Sequence, residues 1–113
     1  MVDHPIGYFP ARLFTNLDKA DQVGWGGSTV TSGNAAAPPM GSGHFPDGDY
    51  THACYFKYVS YQTASRKDIG PGIDLTGTLN TAPKCYNVEY YDDQGDHVGY
   101  VLQFGGPGRD CDN

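Results

Sequence analysis

Hydrophobic and polar positions alternate along three stretches of this chain and take helical spacing in one. Residues 73–79 set Ile73, Leu75 and Leu79 against Asp74, Thr76 and Thr78. Residues 85–91 set Tyr86, Val88 and Tyr90 against Asn87 and Glu89, and residues 97–104 set Val98, Tyr100, Leu102 and Phe104 against His97, Gly99 and Gln103. A period of two marks a strand with one buried face. The last two stretches flank Asp92-Asp93-Gln94-Gly95-Asp96, whose Gly sits where a hairpin loop needs a positive φ. Residues 53–61 are apolar and aromatic on both faces, which predicts a strand covered on both sides. In residues 22–31, Val23, Trp25 and Gly27 point one way and Gly24, Gly26 and Ser28 the other. This predicts a strand with the Trp25 face in the core. Its opposite face is a bare backbone floor that a ligand or another chain can approach. Only residues 11–20, with Leu13, Phe14 and Leu17 behind Pro10, carry a helical pattern. The expectation is an all-β fold, an antiparallel β-sandwich or half-sandwich with one short N-terminal helix, forming a single domain over residues 1–113.

Composition adjusts this picture. Leu, Ile, Val and Phe make up just under a fifth of the 113 residues, a level that leans toward disorder. Nine Tyr and Trp25 reverse that reading, because each ring removes a large area from water while keeping a polar handle. The core is therefore expected to be aromatic rather than aliphatic. The net charge of −6, with Glu89 the single Glu, includes no basic stripe, which argues against nucleic-acid binding. No apolar run is long enough to span a membrane. Met1-Val2-Asp3-His4-Pro5 lacks the basic-then-apolar pattern of a signal peptide, so the chain reads as a mature fragment or as a product that stays in the cell. Cys54, between His52-Ala53 and Tyr55-Phe56, reads as a buried small hydrophobe, with an intermolecular bond as the alternative.

Five segments rich in Gly, Pro and aromatic residues punctuate the chain. They are Ile6-Gly7-Tyr8-Phe9-Pro10, Trp25-Gly26-Gly27-Ser28, Pro38-Pro39-Met40-Gly41-Ser42-Gly43-His44-Phe45-Pro46, Cys85-Tyr86-Asn87-Val88 and Gly105-Gly106-Pro107-Gly108-Arg109. In this order they resemble the C-terminal half of the neprosin domain, a family of plant secreted proteins whose characterised members look like glutamic endopeptidases. The resemblance implies a sandwich of two curved antiparallel sheets with a cleft on one side, a disulfide between Cys85 and Cys111, and an extracellular or secretory-pathway location. In the family's enzymes the residue after Trp-Gly-Gly is a catalytic Glu above the cleft floor, and its partner Glu lies in the N-terminal half. Here position 28 is Ser. Half a sandwich would leave strand edges uncovered, so a homodimer is expected.

The candidate chemistry is thin. A glutamic peptidase needs one carboxylate to activate water and one carboxyl to donate a proton, and a serine hydroxyl does neither. Glu89 lies far from the Trp-Gly-Gly motif in sequence, and no nucleophile-elbow pattern surrounds Ser28. Asp47-Gly48-Asp49 and the 92–96 acids lack the spacing of a calcium loop and read as solvated turn acids. No Cys/His spacing suggests zinc, and no cofactor is expected. His44 reads as a loop hydrogen-bonder, and residues 105–109 as a turn leading to Cys111. Gly24, Gly26, Ser28, His44 and Tyr50 are the candidate ligand-contacting positions.

The reading that follows is a non-catalytic neprosin-like plant protein, a binding or defence module recognising polysaccharide or protein. The rival, implied by the resemblance, is a glutamic endopeptidase cleaving near proline and requiring a missing partner half. A structural or storage polypeptide is a third reading.

Overall fold

The computed structural model describes residues 4–16 and 19–111. Its centre is a three-stranded antiparallel sheet in the order β1-β5-β4, formed by β1 (Cys54–Phe56), β4 (Asn87–Asp93) and β5 (Tyr100–Gly105). A separate two-stranded hairpin joins β2 (Tyr61–Gln62) to β3 (Asp68–Ile69). The fold is all-β, and the arrangement is that of a half-sandwich.

The predicted hairpin is present. Val88 pairs with Phe104 and Tyr90 with Leu102, so the apolar sets read from the two alternations share one face. A bulge between Tyr90 and Asp92 inserts Tyr91, and Asp92 takes a φ of 62° to absorb it. The connection closes through Gln94 N–H to Gly99 O (2.8 Å), with positive φ at Gly95 and Gly99. β5 therefore begins at Tyr100 rather than at residue 97.

Four other predicted elements differ from their sequence patterns. Residues 73–79 are not a strand: Ile73–Leu75 form a 3₁₀ turn and the remainder has no ladder partner. Residues 22–31 are extended but likewise unpaired. Val23 is 55% exposed and Trp25 half-buried, so their face lies over the sheet without being sealed into a core. Residues 53–61 break at Tyr58 (φ 54°) into β1 and β2. Because β1 is an edge strand, Tyr55 and Phe56 stay exposed instead of being covered on both sides. The predicted helix contracts to a 3₁₀ turn at Ala11–Leu13 with no side-chain cap and no buried residue, while Leu17 and Asp18 lie outside the described residues. A helix this short has nothing but packing to hold it, and here it packs on little.

Among the described residues the buried side chains are few and only partly aromatic: Ala53, Val59, Pro71, Cys85, Tyr86, Val101, Leu102 and one polar side chain, Gln103. Most rings instead occupy half-buried or exposed positions, because a single sheet has too little depth to enclose them. Three polar ties compensate. Gln103 Oε1 accepts from Gly48 N–H (2.8 Å) and from the Tyr91 hydroxyl (2.7 Å), while its amide donates to Asp49 O (2.9 Å) and Ala53 O (3.4 Å). This fastens the 47–53 loop over one face of the sheet. The Tyr86 hydroxyl donates to Pro38 O (2.7 Å) and accepts from Thr29 Oγ1 (3.1 Å), joining three distant segments.

The Cys85–Cys111 disulfide, with Cα atoms 5.4 Å apart, is the third tie. Residues 105–109 do more than turn toward it. They form bridges Met40↔Gly106 and Ala37↔Arg109, which draw the proline-rich segment alongside. A Cβ at Gly106 would collide with the Cys85 carbonyl, so only glycine allows the two backbones to meet there. Cys54 keeps a free, half-buried thiol.

Candidate functional site

The face of the sheet opposite the 47–53 loop is an open trough of about 810 Å³. Val88 and Tyr90 from β4, with Leu102 and Phe104 from β5, form its floor. One wall is residues 20–27 and the other residues 75–81. The first wall comes close because Gly27 has no side chain. A Cβ there would stand 2.6 Å from Met40 Sδ and 2.8 Å from Phe104 Cδ2. Next to it, Gly24 and Gly26 have nothing within 4 Å of where a side chain would be. They present open backbone toward the trough, with Trp25 between them.

The trough is apolar below and mixed at the rim. Val23, Leu75 and Leu79 are largely exposed on its walls (55, 82 and 85%), and Asn80, Asn87 and Thr78 provide polar groups among them. Asn80 is held in place, donating to Tyr86 O (2.7 Å) and accepting from Ala82 N–H (3.1 Å). At the floor, Tyr90 donates to Pro71 O. Burial, reinforced by Asp92, pushes the Tyr90 hydroxyl up to about 12, so it remains a donor at any ordinary pH. An apolar bed with a few oriented polar groups is the usual constitution of a ligand site.

The sequence-predicted site residues divide between two places. Gly24 and Gly26 line the trough. Ser28 is exposed and not among the lining residues; the chain there has already turned so that Thr29 reaches Tyr86. Tyr50 lies across the sheet, its ring 5.2 Å from Tyr55 and 6.5 Å from Tyr91. On that side burial, with Glu89 nearby, raises the Tyr91 hydroxyl above its ordinary value. His44 is exposed, with its ring 6.5 Å from that of His52 and its N–H directed to Ser42 Oγ (3.4 Å).

Asp47 and Asp49 are exposed turn acids, as read from the sequence, accepting from the Asp49 and Thr51 N–H groups, and both also meet His52. Asp47 Oδ2 meets His52 Nδ1 at 2.6 Å, and Asp49 Oδ2 lies 3.5 Å from His52 Nε2. The hydrogen bond that His52 donates to Asp47 and the charge of Asp49 raise the His52 pKa, while the same bond lowers that of Asp47. Hydrogen bonds from Thr51 are the main cause of the lowered Asp49 value. Among the described residues no group of three or more His, Cys, Asp or Glu is placed to hold a metal ion. The described residues lining the trough include one carboxylate, Asp21.

The family profile described as Neprosin matches residues 1–107 of the 113. The chain belongs to the Neprosin family. No solved structure matches it. Two of its features were not legible in the sequence. Residues 75–79 alternate like a strand, yet serve as a trough wall. Gln103 falls on the polar side of a strand, yet anchors a covering loop. The recurrence of acid at 47 and 49 with His at 52 was the available signal for the clamp.

Proposed function

We propose that this Neprosin chain is a non-catalytic, secreted binding module that takes an extended polymer, a polysaccharide or protein strand, into the trough. The observation that carries the reading is the trough's make-up: glycine backbone, Trp25, Tyr61 and Tyr90 with amide and hydroxyl groups at the rim, and a single described carboxylate in its lining. Flat rings stack on the C–H faces of sugars or on proline rings, and bare backbone lets a chain lie close. Acid–base hydrolysis of the family's kind requires two carboxyl groups held at separated pKa values. Asp21 alone does not provide them, and Ser28 is both the wrong group and outside the trough. The net charge of −6 favours neutral or basic polymers over acidic ones. Disulfide bonding is compatible with an oxidising compartment.

A glycan array, run beside a peptidase assay on a proline-rich peptide at acidic pH, tests this. The expected result is retention of neutral polysaccharide or proline-rich chains with the peptide uncut. Turnover of the peptide by the unmodified chain, lost on Asp21→Asn, would establish the endopeptidase reading instead.

A further inference from the structure

The N-terminal arm and the trough are complementary surfaces that a single copy leaves wet. In the arm, Ile6 is 104%, Tyr8 86% and Phe9 81% exposed, and nothing lies within 4 Å of a Cβ placed at Gly7. Pro5 and Pro10 bracket it, and the residue before a proline is confined to extended backbone. This constrains His4 and Phe9 only; where the arm runs extended, Ile6 and Tyr8 fall on one side with the small Gly7 between them. Facing this surplus of apolar side chain is a trough of about 810 Å³ with Val23, Leu75 and Leu79 exposed along its walls. Both surfaces are uncharged at their centres, so two copies that each carry −6 can meet there without opposing like charges at the contact.

We infer that two copies exchange arms, each laying Ile6 and Tyr8 into the trough of the other, while Phe9 on the opposite side stays against Phe14 of its own chain. This rests on the reading that the trough accepts an extended polymer, and names a second copy's arm as the resident one. Exchange is a two-fold, closed arrangement in which one patch serves both copies. Large side chains each bury roughly 150–250 Å². Two from each arm, counted with the surface they cover, give on the order of 1,200 Å² in total, just above the ~1,000 Å² a stable interface needs. An external ligand would then bind by displacing the arm.

The test is complementation, read by sedimentation equilibrium and by emission of Trp25, the sole Trp, which lies in the trough wall. The full chain should be a dimer at micromolar concentration, its Trp25 emission shifting to the red on dilution. Ile6→Asp, in the arm, and Leu79→Asp, in the trough, should each weaken the dimer by roughly 100-fold. Mixed in equal amounts, the two variants should regain a heterodimer, since one intact arm then meets one intact trough. A monomeric full chain overturns the inference, as does a dimer indifferent to both substitutions. Variants that remain monomeric when mixed also overturn it, and so does concentration-independent burial of Trp25, which would mean the arm docks on its own copy. The polymer reading fails separately: a monomeric Ile6→Asp protein with a free trough that retains nothing on a glycan or proline-rich peptide array sinks that reading and leaves the exchange standing.

Discussion

At position 103 a buried polar side chain replaces the hydrophobic contact expected of a core. All of the Gln103 amide's described partners are backbone groups of the 47–53 loop and the Tyr91 hydroxyl. Gln103→Leu keeps the volume but leaves those groups desolvated and unpaired, so it should cost about 2–4 kcal/mol, the sum expected of more than one buried unmet partner. Urea unfolding of the two proteins measures it; a change under 1 kcal/mol, on the order of one net hydrogen bond, would mean the loop re-solvates freely. Ser28 is the opposite case, an exposed residue whose identity matters only for chemistry. Ser28→Glu should not create peptidase activity, because it adds one carboxylate outside the trough where the reaction needs a pair. Cleavage of a proline-rich peptide by that variant would show that its side chain reaches a partner such as Asp21. The Ser at position 28 was legible directly, since a motif position is read straight from the sequence. The role of Gln103 was hidden, because alternation tells which side a residue faces and not what covers that side.

The same limit explains which elements were legible. The 85–91 and 97–104 patterns became β4 and β5 because each has its hydrogen-bonding partner next in the chain. Residues 22–31 and 73–79 carry the same alternation without a ladder partner; Ile73–Leu75 close a 3₁₀ turn, and residues 20–27 and 75–81 became the trough walls. The disulfide implied by resemblance is present, and it ties the terminal segment to the start of the β4 region across 26 residues. Closing a loop of that size contributes about 3–4 kcal/mol in the chain-entropy model. Intact-mass analysis after alkylation should therefore show one modified thiol, Cys54, without reduction, and three only after reduction and unfolding. The 47–52 loop should respond to pH. The His52 pKa is raised from 6.5, so its contribution is complete below that value and lost as pH rises through the higher folded value. Asp47 and Asp49 are lowered from 3.8, so theirs is present above that value and lost as pH falls through the lower folded ones. The loop is held best between those limits, in mildly acidic solution. Protection of the Gly48 amide from exchange, corrected for intrinsic rate, should fall as pH rises above that window, and His52→Gln should flatten the response. An unchanged profile in the variant would remove His52 from the clamp.

For the whole molecule, the numbers describe a chain with more apolar surface than it can enclose. The radius of gyration is 16.6 Å, well above the ~13 Å of a compact domain of about 100 residues. Ile6, Tyr8, Phe9, Leu75 and Leu79 each keep four-fifths or more of their surface exposed. Such a chain gains stability by association, and association of the native form makes the midpoint of thermal unfolding depend on concentration. Two copies of net charge −6 repel one another at long range, while the arm and the trough, which the proposed exchange would bring together, are mainly apolar. Added salt should therefore strengthen the dimer by screening that repulsion, and Tm should rise both with protein concentration and with sodium chloride between low and physiological ionic strength. An interface held by ion pairs would respond in the opposite sense to salt, since screening weakens attraction as well as repulsion. A melting temperature that rises with concentration yet falls with salt would place the contact on charged surface and away from the trough. One that ignores concentration altogether would mean that a single copy, with its aromatic face open to water, is stable by itself.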